Sequence, residues 1–168
     1  MNMNTVHPEF VTAIPDVQVV PGVPSEPKTS LYRCLMVSAS QTRREMLSEA
    51  VADSGWDSAV YADPEVALTD FRRTRFQLAF VDLDGFGAAP QEEFRELCQQ
   101  LASEGNDLLL VVCGHEGDGL EEIWARQLGI WLYLPGLADG EGIAKLFDEA
   151  RGVVKQLYEA DQWEALRV

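Results

Sequence analysis

Three sets of chemically capable side chains close apolar runs in this 168-residue chain. Ser38, Ser40 and Thr42 follow the run in "LYRCLMVSASQT" (31–42), Asp82 and Asp84 end "FVDLDG", and Cys113 with His115, Glu116 and Asp118 ends "LLLVVCGHEGDG". Each set suggests a chemistry. Neighbouring carboxylates can hold a divalent cation or accept a transferred group. Hydroxyls at the start of a helix can cradle phosphate. A cysteine beside a base can act as a nucleophile. The last is the weakest, because His7 lies in the N-terminal segment and His115 in a loop, with no supporting spacing to a thiol. Cys34, Cys98 and Cys113 all lie within apolar runs, where free cysteine behaves as a small buried hydrophobe. "GFG" (85–87) lacks the helix context and later glycine of a dinucleotide loop.

The elements that must position these residues show in the alternating period of the pattern. Tyr32–Val37, Ser58–Tyr61, Phe76–Val81, Leu108–Cys113 and Ile130–Leu134 read as strands. Between them lie helical faces: Met46, Leu47, Ala50 and Val51; Ala67, Leu68 and Phe71 behind an Asp63-Pro64 start; Phe94, Leu97, Cys98, Leu101 and Ala102; and Leu120, Ile123, Trp124 and Leu128. A last helix runs from about Glu141 towards Leu166. Five apolar strands alternating with five helices predict a three-layer α/β/α sandwich. Its five-stranded parallel sheet should have the order 2-1-3-4-5 of flavodoxin-like and CheY-like folds. Ligands in such sheets sit beyond the carboxyl ends of the strands, where all three sets converge. Residues 1–30 hold five of the eight prolines and read as an extended or disordered tail, leaving 31–168 as the folded domain.

Over about residues 31–160 the order and spacing of these elements resemble the receiver domains of two-component response regulators. Members of that group carry acidic residues after the first strand, a phosphate-accepting aspartate after the third, a hydroxyl residue after the fourth and lysine-proline after the fifth. "FVDLDG" is similar to the third-strand motif and places Asp82 at the acceptor position. "YLPGL" is similar to the fifth-strand motif, with Tyr133 at the switch aromatic. The remaining positions depart from the pattern. Ser38 and Ala39 stand at the acidic pair, Cys113 at the hydroxyl, Gly136 at the lysine and Leu137 at the proline. Mg²⁺ loses its carboxylate shell, and the transferred group loses its fixed positive charge. The resemblance, with these losses, implies a degenerate or pseudo-receiver: no catalysis, no bound metal or cofactor, and a vestigial acceptor at Asp82.

Two alternatives stay open at this level. Asp84, Glu116 and Asp118 could rebuild a metal site and make a true phospho-accepting receiver. "SASQT" loosely resembles the flavin-phosphate loop of flavodoxins, which would imply an FMN or phosphate-ligand binder, although Gln41 stands where backbone approach needs glycine. The simpler reading of that stretch is a helix cap, with Thr42 and Glu45 forming T-x-x-E.

Composition narrows the partners. A formal charge of −15 disfavours nucleic acid and anionic lipid, since both are bound through lysine and arginine. No apolar run is long enough to span a bilayer, and the first basic residue is Lys28, so neither a membrane span nor a secretory signal is expected. A cytoplasmic location follows as an expectation. Arg43-Arg44 and Arg72-Arg73-Arg75 read as solvated helix ends. The last helix would be roughly 39 Å long, more than the strands it covers. Its stripe, with Phe147, Val154, Tyr158 and Trp163, together with Trp131 and Tyr133, marks a candidate interface for a protein partner or a homodimer. In receivers the face formed by the last two helices and the fifth strand serves such contacts.

Overall fold

The computed structural model describes residues 32–52, 54–85, 91–137 and 139–165, the last four as backbone. The proline-rich segment 1–30 and the side chain of Trp163 lie outside the described residues. Strands β1 (Arg33–Ser38), β2 (Asp57–Tyr61), β3 (Leu78–Asp82), β4 (Leu109–Gly114) and β5 (Leu132–Pro135) alternate with α1 (Gln41–Ala52), α2 (Pro64–Arg73), α3 (Gln91–Glu104), α4 (Gly119–Gln127) and α5 (Gly140–Ala165). The sheet is parallel in the order β2-β1-β3-β4-β5, as the alternation of periods predicted.

Successive strand residues point to opposite faces, and this parity divides the core. Cys34 and Met36 of β1, Leu78 and Phe80 of β3, and Val111 and Cys113 of β4 face α1 and α5, packing with Leu47, Val51, Ile143 and Phe147. Leu35, Val37, Ala79, Val81, Leu110 and Val112 face α2, α3 and α4, with Ala67, Phe94, Leu97 and Ala125. All of these side chains are buried, so the central strands need apolar residues on both faces. Asp63 caps α2, its carboxylate accepting from the N–H groups of Glu65 and Val66, with Pro64 in the first helical position.

Three expectations are corrected. The cap of α1 is Ser40 rather than Thr42: Ser40 Oγ accepts from Arg43 N–H at 3.4 Å, Thr42 lies exposed inside the helix, and Glu45 accepts from Gln41 instead of reaching back. On α4 the buried residues are Glu121 and Ala125, Trp124 and Leu128 are half-buried against the core, and Leu120 is 80% and Ile123 55% exposed, so only half of the apolar stripe faces the sheet. On α5, Phe147 and Val154 belong to the core and are not offered to a partner. The backbone carbonyl of Phe147 also accepts the indole N–H of Trp56 at 3.0 Å, pinning α5 to the segment before β2.

Candidate functional site

At the carboxyl edge of the sheet, register sets Ser38 beside Asp82 and Asp82 beside Cys113. Parity turns all three toward the α1 side, beneath the start of that helix. Asp82 is fully buried, and both of its oxygens are engaged. The Ser38 hydroxyl donates to Oδ2 at 2.7 Å, while the Asp84 N–H donates to Oδ1 at 3.1 Å. Arg43, in the first turn of α1, donates from Nη1 to Asp82 Oδ1 at 2.9 Å and from Nη2 to Asp84 Oδ2 at 2.6 Å. One planar guanidinium thus bridges two carboxylates, the geometry arginine suits best.

Arg43 is drawn in two directions. Burial lowers its pKa, but the hydrogen bond to Asp84 and the charges of Asp82 and Asp84 outweigh that and leave it raised. Arg44 turns back as well, donating to the carbonyls of Ser38 at 2.7 Å and Ala39 at 3.0 Å. Gly85 closes the pocket from the other side. A Cβ there would lie 2.6 Å from Asp82 Oδ2 and 2.9 Å from Ser38 Oγ, so the chain can pass this close only without a side chain. The Cys113 thiol is pushed up by burial and by the Asp82 charge, which removes its nucleophilic form.

A second buried carboxylate lies on the opposite face, where sequence reading placed none. Glu121 of α4 accepts from His115 N–H at 2.8 Å and the Tyr133 hydroxyl at 3.1 Å through Oε1, and from Arg95 Nη2 at 3.2 Å through Oε2. Tyr133 is therefore turned inward, and burial followed by the Glu121 charge holds its hydroxyl protonated. Gly114 makes the approach possible, since a Cβ there would overlap Glu121 Oε1 and the Tyr133 hydroxyl. His115 stands between the two carboxylate sites, with Nε2 3.4 Å from Asp84 Oδ1 and Nδ1 3.4 Å from Glu121 Oε2.

The remaining sequence candidates fall as follows. Ala39 is half-buried and offers its carbonyl to Arg44. Gly136, at positive φ, donates its N–H to the Gly114 carbonyl and supplies no cation. Asp118 caps α4 by accepting from Glu121 N–H at 3.0 Å, and Glu116 is exposed. Ser38 Oγ is committed to Asp82 and Ser40 Oγ to the helix cap, so the hydroxyls of "SASQT" serve internal bonds. Trp131 is half-buried against the α1/α5 core, and the Tyr158 hydroxyl accepts from Gln77 at 3.2 Å. The second arginine group also finds partners: Arg72 pairs with Glu104 and Arg75 with Asp107, flanking an open depression of about 440 Å³ at the opposite edge of the sheet.

The reading of Arg43 as a solvated helix end is corrected by its pairing with Asp82 and Asp84, His115 is a loop residue that nevertheless lies 3.4 Å from Asp84 and from Glu121, and sequence reading missed Arg95 and Glu121 altogether. A clue to Arg43 was available, because a cation in the first turn opposes the helix dipole and so calls for an acidic neighbour. Glu121, at an ordinary surface-type position, gave none.

No family model and no curated protein sequence matches this chain. Solved structures do. NtrX from Brucella abortus is similar over 79% of this chain at 16% identity and a TM-score of 0.65, with this chain spanning 30% of NtrX. Vibrio cholerae chemotaxis protein CheY4 is similar over 71% of this chain and 98% of its own, at 19% identity and a TM-score of 0.59. A response regulator receiver domain protein from Clostridium thermocellum is similar over 76% and 99%, at 13% identity and a TM-score of 0.62. The chain has the CheY-like receiver fold.

The Mg²⁺ that this fold implies does not fit the donors present. Asp82 and Asp84 already share one cation, Arg43, and Ser38 donates to Asp82 where a metal would need an acceptor.

Proposed function

We propose that this chain is a pseudo-receiver: a signal-transduction module that binds a protein partner, or a second copy of itself, without aspartyl phosphorylation. The observation that carries the reading is the Arg43 guanidinium held on both Asp82 and Asp84. Phosphoryl transfer to a carboxylate requires a free oxygen lone pair aligned with phosphorus, and cations placed on the transferring group. Here one Asp82 oxygen accepts from Arg43 and Asp84 N–H, the other from Ser38, and Gly136 supplies no charge where the resemblance calls for lysine. The acceptor position is retained as architecture, tying the β1–α1 turn to the end of β3. What remains for function is surface. The α4–β5–α5 side carries Leu120 and Ile123 exposed to solvent, and a partner of this module would bind there.

Incubation with acetyl phosphate and Mg²⁺, followed by intact-mass measurement, tests the reading. The unmodified mass is expected. A stoichiometric phosphoryl adduct that disappears in Asp82→Asn would overturn it.

A further inference from the structure

The chain enters β1 at the sheet edge opposite Asp82. There the Arg33 N–H donates to Gln77 Oε1 at 2.8 Å, and Gln77 Nε2 donates to the Tyr158 hydroxyl at 3.2 Å. One glutamine side chain therefore separates the point of entry from a narrow cleft lined by Gln77, Arg75, Asp107, Val154, Leu157 and Tyr158. Leu157 is 45% exposed, and the Arg75 guanidinium lies over the Tyr158 ring at 5.7 Å. The Gln77 backbone is already paired, its N–H with the Arg33 carbonyl and its carbonyl with the Leu109 N–H. The cleft thus offers apolar surface, an aromatic ring and a cation, and at Gln77 no backbone group for an added strand.

The sequence leading to β1 has a period that suits such a surface. Pro21, Pro24 and Pro27 recur at every third residue, the repeat of a polyproline II helix, and so share one side of it. Val20, Val23 and Glu26 each precede a proline, which holds them extended as well and groups them on a second side. A helix of this kind makes no internal hydrogen bonds and docks through its side chains on aromatic-lined grooves, with little chain entropy left to lose. Charge selects the same place. Segment 1–31 carries Glu9, Asp16 and Glu26 against Lys28, in a chain of formal charge −15, so most of the domain surface repels it. Beside the cleft, Arg72, Arg73 and Arg75 gather around the depression of about 440 Å³, and Arg75 is held by an exposed pair with Asp107 at 3.3 Å, which a second carboxylate can replace.

We propose that residues 20–27, "VPGVPSEP", dock in cis as a polyproline II helix on the Leu157–Tyr158 cleft, with Glu26 directed to Arg75 and Arg73. Reach permits it, since the chain from Pro27 to Tyr32 can span about 17 Å. The tether also decides the occupant: a short linker gives an effective concentration on the order of millimolar, which a second copy or a foreign partner in solution does not match. This inference stands apart from the pseudo-receiver reading and does not depend on it.

All three native cysteines are buried, so Leu157→Cys supplies the reactive thiol of the full chain. Its labelling by a maleimide should be slow. Adding Pro21→Gly, Pro24→Gly and Pro27→Gly together keeps length and charge but removes the preorganised helix, and should raise the labelling rate about tenfold with near-UV circular dichroism unchanged. Glu26→Lys should raise it by a smaller factor that shrinks as salt is added. In ¹⁵N-labelled protein that retains Leu157, the amides of Arg75, Leu157 and Tyr158 should shift when the three prolines are replaced. Equal labelling rates, or amides that stay in place, would overturn the proposal. Protection of Cys at 157 that grows with protein concentration would overturn it too, by assigning the cleft to a second copy.

Discussion

Asp82 and Glu121 are both buried carboxylates paired with a partly exposed arginine, and they lie on opposite faces of the same sheet edge. Asp82 ends a strand. Its donors, Ser38, Asp84 N–H and Arg43, come from the loop just beyond it and from the adjoining β1–α1 segment, which the parallel register brings beside it. Glu121 sits on a helix, and its donors reach it from α3, the β4–α4 loop and β5. The first carboxylate stitches together chain that topology has already made adjacent. The second decides how a helix is turned. A buried charge at a strand end thus follows from the fold, whereas one on a helix shares the inner face with part of the apolar stripe, here Trp124 and Leu128, and leaves the rest of it in water.

The largest effect should come from removing the carboxylate that fixes a helix. Glu121→Ala leaves the Tyr133 hydroxyl, His115 N–H and Arg95 without their acceptor and should cost about 3–5 kcal/mol in urea denaturation. Arg43→Ala should cost less, about 2 kcal/mol, because Asp82 keeps two donors and the guanidinium is 26% exposed. If the two costs were equal, the distinction between stitching and turning would fail. Arg43→Ala also has a second signature. It leaves Asp82 and Asp84 without their cation, so Mg²⁺ should raise the melting temperature of this variant and not that of the parent protein.

Ser38→Ala removes one neutral donor from buried Asp82 and should cost about 1.5 kcal/mol by the same denaturation assay. Asp63→Ala, at the α2 cap remote from both carboxylates, should cost about 1 kcal/mol and calibrate the scale. A Ser38→Ala cost below that of the cap would mean that Arg43 and Asp84 N–H satisfy Asp82 alone.

The sequence made the scaffold legible because strand and helix periods differ and the strands are apolar on both faces. Leu35 and Met36, neighbours in the chain, are buried in different cores. Asp82 was legible because a strand end in a parallel sheet has a known address. Its partner was not, since an arginine's long side chain can reach many targets and Asp82 lies 39 residues away in sequence. The α1 cap was misplaced by two residues because Ser40 and Thr42 are both competent hydroxyls, and the choice depends on where β1 releases the chain. The exposure of Leu120 and Ile123 on α4 escaped for a deeper reason: periodicity counts apolar side chains and is blind to the donors of His115, Tyr133, Arg95 and Gln91, which meet at Glu121 only after folding. The same blindness made Phe147 and Val154 look available to a partner, although both lie against the sheet.

The most direct test of the closed acceptor pocket is a titration of ¹⁵N-labelled protein with beryllofluoride in the presence of Mg²⁺. The amide resonances of Ser38, Leu83, Asp84 and Gly85 should stay in place through the titration. Saturable shifts of those amides, abolished by Asp82→Asn, would show that the carboxylate leaves Arg43 to take a phosphoryl analogue, and would contradict the account.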